Sequence, residues 1–223
     1  MIKLFSGVLF LLLVCLSTFT GNADKGDQCM QSNYIRIDLD EYGQIITLEN
    51  LLTERQYLSG IPCGFKMVVN VSTNDIWASK HGKEVTLSSA DVPATLHRDG
   101  DIMTIEQKFS LENGIICVVR TLKLASDAKL CVLNLRIVNE CENSVITKID
   151  WLSIKGLVDT DNTLQLLWPD KEGEIYSSFF ASGKHVSASY PSLMSMQYVA
   201  LSNEQESLYY GVHDTSRQFK DFD

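Results

Sequence analysis

Hydrophobic and polar residues alternate along many short segments of this chain, which is the pattern of half-buried β-strands. In the segment 130–138, for example, Leu133 and Leu135 fall on one side of a strand and Asn134 on the other. Turn residues separate these segments, and no long helical pattern is present. The predicted strands are residues 33–39, 44–48, 53–58, 66–71, 85–87, 94–97, 102–109, 115–124, 130–138 and 144–154.

The last three of these segments are separated by short turns and therefore predict an antiparallel meander. Many short strands at nearly regular spacing favour a sandwich over a barrel or an α/β fold. We therefore expect an all-β protein with antiparallel sheets. No Pro/Gly/Ser-rich linker divides the chain, so we expect one domain over residues 24–223.

The segment from Tyr190 to Asp214 is the densest in aromatic and sulfur-containing residues. Two apolar arms flank a polar insert, residues 202–207, and this pattern predicts a hairpin. An aromatic hairpin of this kind usually packs against another element. We therefore expect an exposed contact surface with another domain, formed by Tyr190, Met194, Met196, Tyr198 and Tyr209.

The first 23 residues have the features of a secretory signal peptide. Lys3 provides a positive start, residues 8–16 are continuously apolar, and Gly21-Asn22-Ala23 offers a cleavage site. The apolar run is shorter than the roughly 20 residues that span a bilayer. We expect cleavage after Ala23 and a secreted or periplasmic protein without a membrane anchor.

The charge of the chain bears on its partners. It carries 19 Lys and Arg against 28 Asp and Glu, a net charge of −9, and loss of Lys3 with the leader makes the product still more negative. Nucleic acids and anionic membranes both bind basic surfaces, so neither is expected as a partner. A neutral ligand such as a carbohydrate fits this composition better.

The cysteines and histidines predict no metal site. None of the cysteines after residue 23 shows a C-x-x-C spacing, and none of the histidines is paired at a ligand spacing. We expect mainly buried free thiols, with one disulfide involving Cys29, Cys63 or Cys141 left open. No cofactor-binding motif is present either.

Four residues are candidates for carbohydrate contact: Trp168, Asp170, His213 and Asp214. Two of these carboxylates follow a ring closely, in Trp168-Pro169-Asp170 and His213-Asp214, and sugars stack on rings while their hydroxyls bind carboxylates. Trp168 has an alternative role as a buried core residue. The Asp159 and Asp161 carboxylates lie in a predicted turn, where solvated acids are common, and Phe179-Phe180 is predicted to be buried rather than an exposed platform.

The order of these pieces resembles the N-terminal domain of large secreted glycoside hydrolases, related to endo-α-N-acetylgalactosaminidase-like proteins. The matching segments are GQIITLENLLTERQYL (43–58), VLNLRIVNECENSVITKIDWLSIKGL (132–157), LLWPDKEGE (166–174), YPSLMSMQYVAL (190–201) and LYYGVHD (208–214). The resemblance implies an antiparallel, galactose-mutarotase-like β-supersandwich. It also implies a following (β/α)8 barrel that carries the catalytic carboxylates, so no catalytic residue is expected within this chain.

Three functions follow from these patterns. The first is a non-catalytic sandwich domain of a glycoside hydrolase that acts on oligosaccharides or glycans. The second is a free-standing carbohydrate-binding module, which needs an exposed aromatic platform. The third is a mutarotase-like epimerase, which needs a histidine acid and a glutamate base in one cleft, and no such pair is recognisable in the sequence.

Overall fold

The computed structural model describes residues 6–15, 28–71, 82–169, 173–190, 197–212 and 220–222, the strands at 6–15, 188–190 and 220–222 by their backbone. The described residues form antiparallel β-strands and one short helix, so the prediction of an all-β antiparallel fold is confirmed. The strands are β1 Ser6–Cys15, β2 Cys29–Gln31, β3 Ile35–Leu39, β4 Ile45–Asn50, β5 Arg55–Gln56, β6 Gly64–Val71, β7 Lys83–Ser88, β8 Thr95–Asp99, β9 Ile102–Leu111, β10 Gly114–Lys123, β11 Leu130–Asn139, β12 Ser144–Ser153, β13 Gln165–Trp168, β14 Glu174–Tyr176, β15 Ala188–Tyr190, β16 Tyr198–Ser202, β17 Glu206–Val212 and β18 Lys220–Phe222. The helix α1 is Phe179–Ser182.

The largest sheet has nine strands in the order β14-β13-β16-β17-β1-β11-β10-β9-β8. A four-stranded sheet, β2-β3-β4-β5, a three-stranded sheet, β12-β6-β7, and the pair β15-β18 complete the described sheets. The apolar run of the predicted leader forms β1 in the middle of the largest sheet, between β11 and β17. Removal of the leader stays a prediction.

The predicted meander of three strands is wrong in its last member. β10 and β11 pair as a hairpin, but β12 leaves that sheet and pairs with β6. The second edge of β11 is occupied by β1, so β12 cannot pair there. A strand pattern specifies which face is buried but not which edge it joins.

The predicted terminal hairpin is confirmed for β16 and β17, whose connection is shorter than expected. Tyr198 pairs with Gly211 and Ser202 with Ser207. The side-chain oxygen of Asn203 accepts hydrogen bonds from the backbone N–H groups of residues 205 and 206 at 2.9 and 3.0 Å. This Asx-type turn fixes the hairpin and starts β17 at Glu206.

Two hydrophobic clusters form the core. The larger one joins the four-stranded sheet to the largest sheet, and it includes Tyr57, Met103 and Leu133. The smaller one includes Phe65 and Ile116, and Trp151 packs against both clusters. Burial of these alternating apolar residues is the main source of stability.

Candidate functional site

Arg55 lies at the centre of the most connected polar group that the structure describes. It begins β5, directly after the turn that follows β4, so its side chain reaches both β17 and the turn before β13. Its Nε donates to Glu206, Nη1 lies 3.2 Å from Asp159 Oδ1, and Nη2 lies 2.7 Å from Asp161 Oδ2. We call Arg55, Asp159, Asp161, Thr163 and Glu206 the Arg55 cluster.

Glu206 is the buried carboxylate of this cluster, with 3% of its surface exposed. Its Oε2 accepts hydrogen bonds from Asn50 Nδ2 at 2.6 Å, Thr53 Oγ1 at 2.7 Å and Tyr57 Oη at 2.8 Å. Burial acts to raise the pKa of Glu206, but these three donors and the charge of Arg55 outweigh it and lower the pKa. Glu206 is therefore ionised and fully bonded at neutral pH.

The turn at residues 159–163 supplies the outer half of the cluster. The side chain of Asp159 is fully buried and accepts the backbone N–H groups of Thr163 at 3.2 Å and Leu164 at 3.0 Å. Asp161 is half exposed, and its hydrogen bond from Arg55 is the main cause of its lowered pKa. Thr163 Oγ1 also accepts a hydrogen bond from Asn203 Nδ2 at 3.0 Å, so the cluster joins three segments distant in sequence.

A set of aromatic side chains lies close to this turn. Asn162 Nδ2 donates to Ser178 Oγ at 3.4 Å, and Ser178 precedes helix α1. The Tyr176 and Phe179 rings are 6.1 Å apart, and the Phe179 and Phe180 rings are 5.7 Å apart. We call Tyr176, Phe179 and Phe180 the aromatic group; all three are half-buried and pack against the larger core cluster, so Phe179-Phe180 lies between the predicted burial and an exposed platform.

The Glu206 and Asp161 carboxylates of this cluster are suited to charge pairing rather than to proton transfer. A general acid or base needs a pKa near the working pH, whereas the Glu206 and Asp161 carboxylates both have lowered pKa values. The exposed part of the cluster presents a carboxylate, a hydroxyl and the amide of Asn203 beside aromatic rings.

The structure describes only one of the four residues predicted for carbohydrate contact. Trp168 is 6% exposed and belongs to the larger core cluster, which is the alternative role that the sequence left open. Sugar contact by this ring stays a prediction and would require it to be uncovered. Asp170, His213 and Asp214 lie outside the described residues.

The residues predicted for a domain contact are described only in part. The Tyr198 and Tyr209 rings lie 5.0 Å apart at 33°, and both side chains are half-buried on the hairpin. A Cβ atom at Gly211 would lie 2.3 Å from the Tyr209 hydroxyl, so that ring covers the glycine. Tyr190 lies on β15, and Met194 and Met196 lie outside the described residues.

The cluster itself was not predicted as a site. The turn pattern predicts solvated acids at Asp159 and Asp161, and no motif in the sequence indicates a role for Arg55 or Glu206. The alternation of Glu206 with Leu208 on β17 indicates a buried charge at this place in the sequence, because both side chains face inward. A charge at an inward position requires a partner.

The described residues contain no group of three or more His, Cys, Asp or Glu side chains placed to hold a metal ion, and no helix among them is long and apolar enough to cross a membrane. Cys29, Cys63, Cys117, Cys131 and Cys141 are free thiols, as the sequence predicted.

No protein-family model matches the chain, and no curated protein matches it either.

Proposed function

We propose that this chain is a non-catalytic N-terminal domain of a secreted glycoside hydrolase that acts on oligosaccharides or glycans. Its antiparallel sheets would form a galactose-mutarotase-like supersandwich that supports a (β/α)8 catalytic barrel in the same polypeptide. The resemblance of residues 43–58, 132–157, 166–174 and 190–214 to such domains supplies the enzyme class.

One observation carries the non-catalytic part of the proposal. The buried carboxylates of the Arg55 cluster are bound to a guanidinium and to hydroxyl, amide and backbone donors. Glycoside hydrolysis requires one carboxylic acid with a raised pKa opposite a second free carboxylate. Glu206 has the opposite shift, because its donors stabilise the ionised form. The cluster is therefore suited to holding the four-stranded sheet against the largest sheet.

The test compares two proteins on a panel of aryl glycosides and glycans. Residues 24–223 alone are expected to hydrolyse none of them, whereas the natural polypeptide that carries this sequence is expected to hydrolyse at least one. Tyr198→Asp and Tyr209→Asp in the natural polypeptide should weaken docking and lower its activity, while Ile175→Asp, at a side chain that is 66% exposed, should not. Hydrolysis by residues 24–223, or an inert natural polypeptide, would contradict the proposal.

A second candidate function is a free-standing carbohydrate-binding module. The observation in its favour is that the half-buried aromatic group lies beside the exposed part of the Arg55 cluster, with Lys184 Nζ 5.1 Å from the Tyr176 ring centroid. Calorimetric titration of residues 24–223 with a glycan panel tests it. Binding that Phe179→Ala abolishes and Ile175→Ala leaves intact would favour the module, and no heat with any glycan would exclude those ligands.

A further inference from the structure

The strand β1 connects the two halves of the nine-stranded sheet, because it pairs with β11 on one side and with β17 on the other. Residues 6–12 pair with residues 130–136 of β11, and residues 9–15 pair with Glu206–Val212 of β17. Both pairings are antiparallel, so β11 and β17 run parallel to each other with one strand between them. We call the space between residues 130–136 and Glu206–Val212 the β1 slot.

The β1 slot depends on a segment that the proposed export removes. Cleavage after Ala23 takes the whole of Ser6–Cys15 with it, so this inference rests on the proposed secretion of the domain. The two strand edges would then lie about 9 to 10 Å apart, which is twice the spacing of paired strands. Their unpaired backbone groups would lie next to core side chains such as Leu133 and Leu208, which are 1% and 4% exposed.

An empty slot of this kind is costly, because unpaired backbone N–H and C=O groups beside a core lose hydrogen bonds. Direct closure of β11 onto β17 would shift the strands that are already paired to them, β10 and β16. It would also create a parallel pair in a sheet whose described pairings are all antiparallel. A third strand that enters the slot satisfies both edges without either change.

The topology favours one source for that strand. One edge of β17 is covered by β16, so a strand that follows β17 and pairs with it must enter the β1 slot. Such a strand returns antiparallel to β17, which is the direction that β1 has. Residues 213–219 are enough for a hairpin connection, and Lys220–Phe222 is already extended, paired with β15.

We propose that the β1 slot is a strand-acceptor site and that, in the cleaved protein, it receives the segment of this chain that begins at Lys220. In the uncleaved chain β1 fills the slot, and Lys220–Phe222 pairs with β15 instead. Removal of the leader would therefore exchange one strand for another at the centre of the nine-stranded sheet.

Hydrogen exchange on the cleaved protein tests this exchange of strands. Residues 24–223 are produced behind a cleavable host leader, so that the test does not depend on how the native leader is processed. The native leader is tested separately by the mass of the product exported from the full chain. Exchange is then followed at the backbone amides of residues 130–133 and 209–212, which are the parts of the two edges that the four residues from Lys220 to Asp223 can reach, with β9 and β10 as internal references.

Two proline variants distinguish a strand in the β1 slot from the pair that Lys220–Phe222 forms with β15. Asp221 pairs with Ser189, and proline at either position removes a backbone N–H from that pair. Asp221→Pro also disrupts a strand in the slot, whereas Ser189→Pro does not. We expect Asp221→Pro to accelerate exchange at the slot edges about tenfold or more, with Ser189→Pro near the parent rate.

Three results would overturn the proposal. The first is rapid exchange at both slot edges in the parent, which would mean an empty slot. The second is slow exchange that neither proline changes, which would mean that β11 and β17 have closed on each other. The third is an equal effect of the two prolines, which would place Lys220–Phe222 on β15. An exported product that keeps its first 23 residues would contradict the proposed secretion but not the slot.

Discussion

Arg55 and Glu206 form an ion pair between side chains that are 151 positions apart in the sequence. Arg55 is 12% exposed and Glu206 1% exposed at the side chain, so the pair is shielded from solvent. It connects the edge strand of the four-stranded sheet to β17 of the largest sheet. Because each charge is buried with its partner, loss of one leaves the other uncompensated.

Arg55→Met is expected to destabilise the domain by about 3 to 5 kcal/mol, the range for breaking a buried ion pair. Glu206 and Asp159 would both stay buried without their cation. Urea unfolding of the variant and the parent measures the difference. The double variant Arg55→Met with Glu206→Gln should recover part of the loss, and a loss below about 1 kcal/mol would show that the pair resembles an exposed surface pair.

The stability of the domain should fall in acid because of Glu206. Its folded pKa is lowered, so its contribution is present above the unfolded pKa and is lost as the pH falls through the folded value. The ordinary glutamate value is 4.5, and the loss should therefore begin near that pH and continue below it. Unfolding free energies measured across this range should show a shallower fall in Glu206→Gln; an unchanged slope would contradict the assignment.

The strands with regular alternation could be predicted from the sequence, and the long-range pairings could not. β3 falls within its predicted segment and β11 matches its predicted segment to within one residue, because the apolar residues of each strand alternate and are buried on one side. The pattern of β12 predicts a strand equally well, yet it joins β6, and nothing in residues 144–154 specifies that edge. Pairing of distant edges depends on the whole sheet rather than on local spacing.

In the candidate site, too, the local turn could be predicted from the sequence, whereas the contacts between distant segments could not. The turn at Asp159 and Asp161 was predicted, but its binding to Arg55 depends on a hairpin that is about a hundred positions earlier in the sequence. Glu206 at an inward position implied a buried partner, although not which one. For Trp168 the ring suggested either sugar contact or the core, and only tertiary packing distinguishes the two.

The free thiols should differ in reactivity according to burial. Burial raises the pKa of Cys131 to about 12, and Cys131 has no exposed surface. Since the thiolate is the reactive form, Cys131 should resist a thiol reagent in the native protein, while the half-buried Cys117 and Cys141 react first. Mass analysis after brief labelling near neutral pH identifies the modified residues, and early labelling of Cys131 would contradict its buried position.

A side chain at Gly43 should destabilise the protein for two reasons, the left-handed backbone and the close approach of neighbouring side chains. A control variant distinguishes these two contributions. The φ of Gly43 is +64°, and a Cβ atom there would lie 2.4 Å from Ile105 Cγ2 and 2.9 Å from Arg120 Nη2. Arg120 is buried and donates to the carbonyl oxygen of Gly43 at 2.7 Å, so it cannot move without losing that bond. Gly43→Ala should therefore combine backbone strain with a clash in the core.

Gly100 provides the matched control, because its φ is +55° but a Cβ atom there would meet nothing within 4 Å. Gly100→Ala should cost about 1 to 2 kcal/mol, the strain of a left-handed backbone alone. Gly43→Ala should cost more, about 2 to 5 kcal/mol, since overpacking adds about 1 to 3 kcal/mol to the strain of the backbone. Urea unfolding of both variants decides the question: equal losses would mean that Ile105 and Arg120 adjust freely, and the close approach at Gly43 would then contribute nothing.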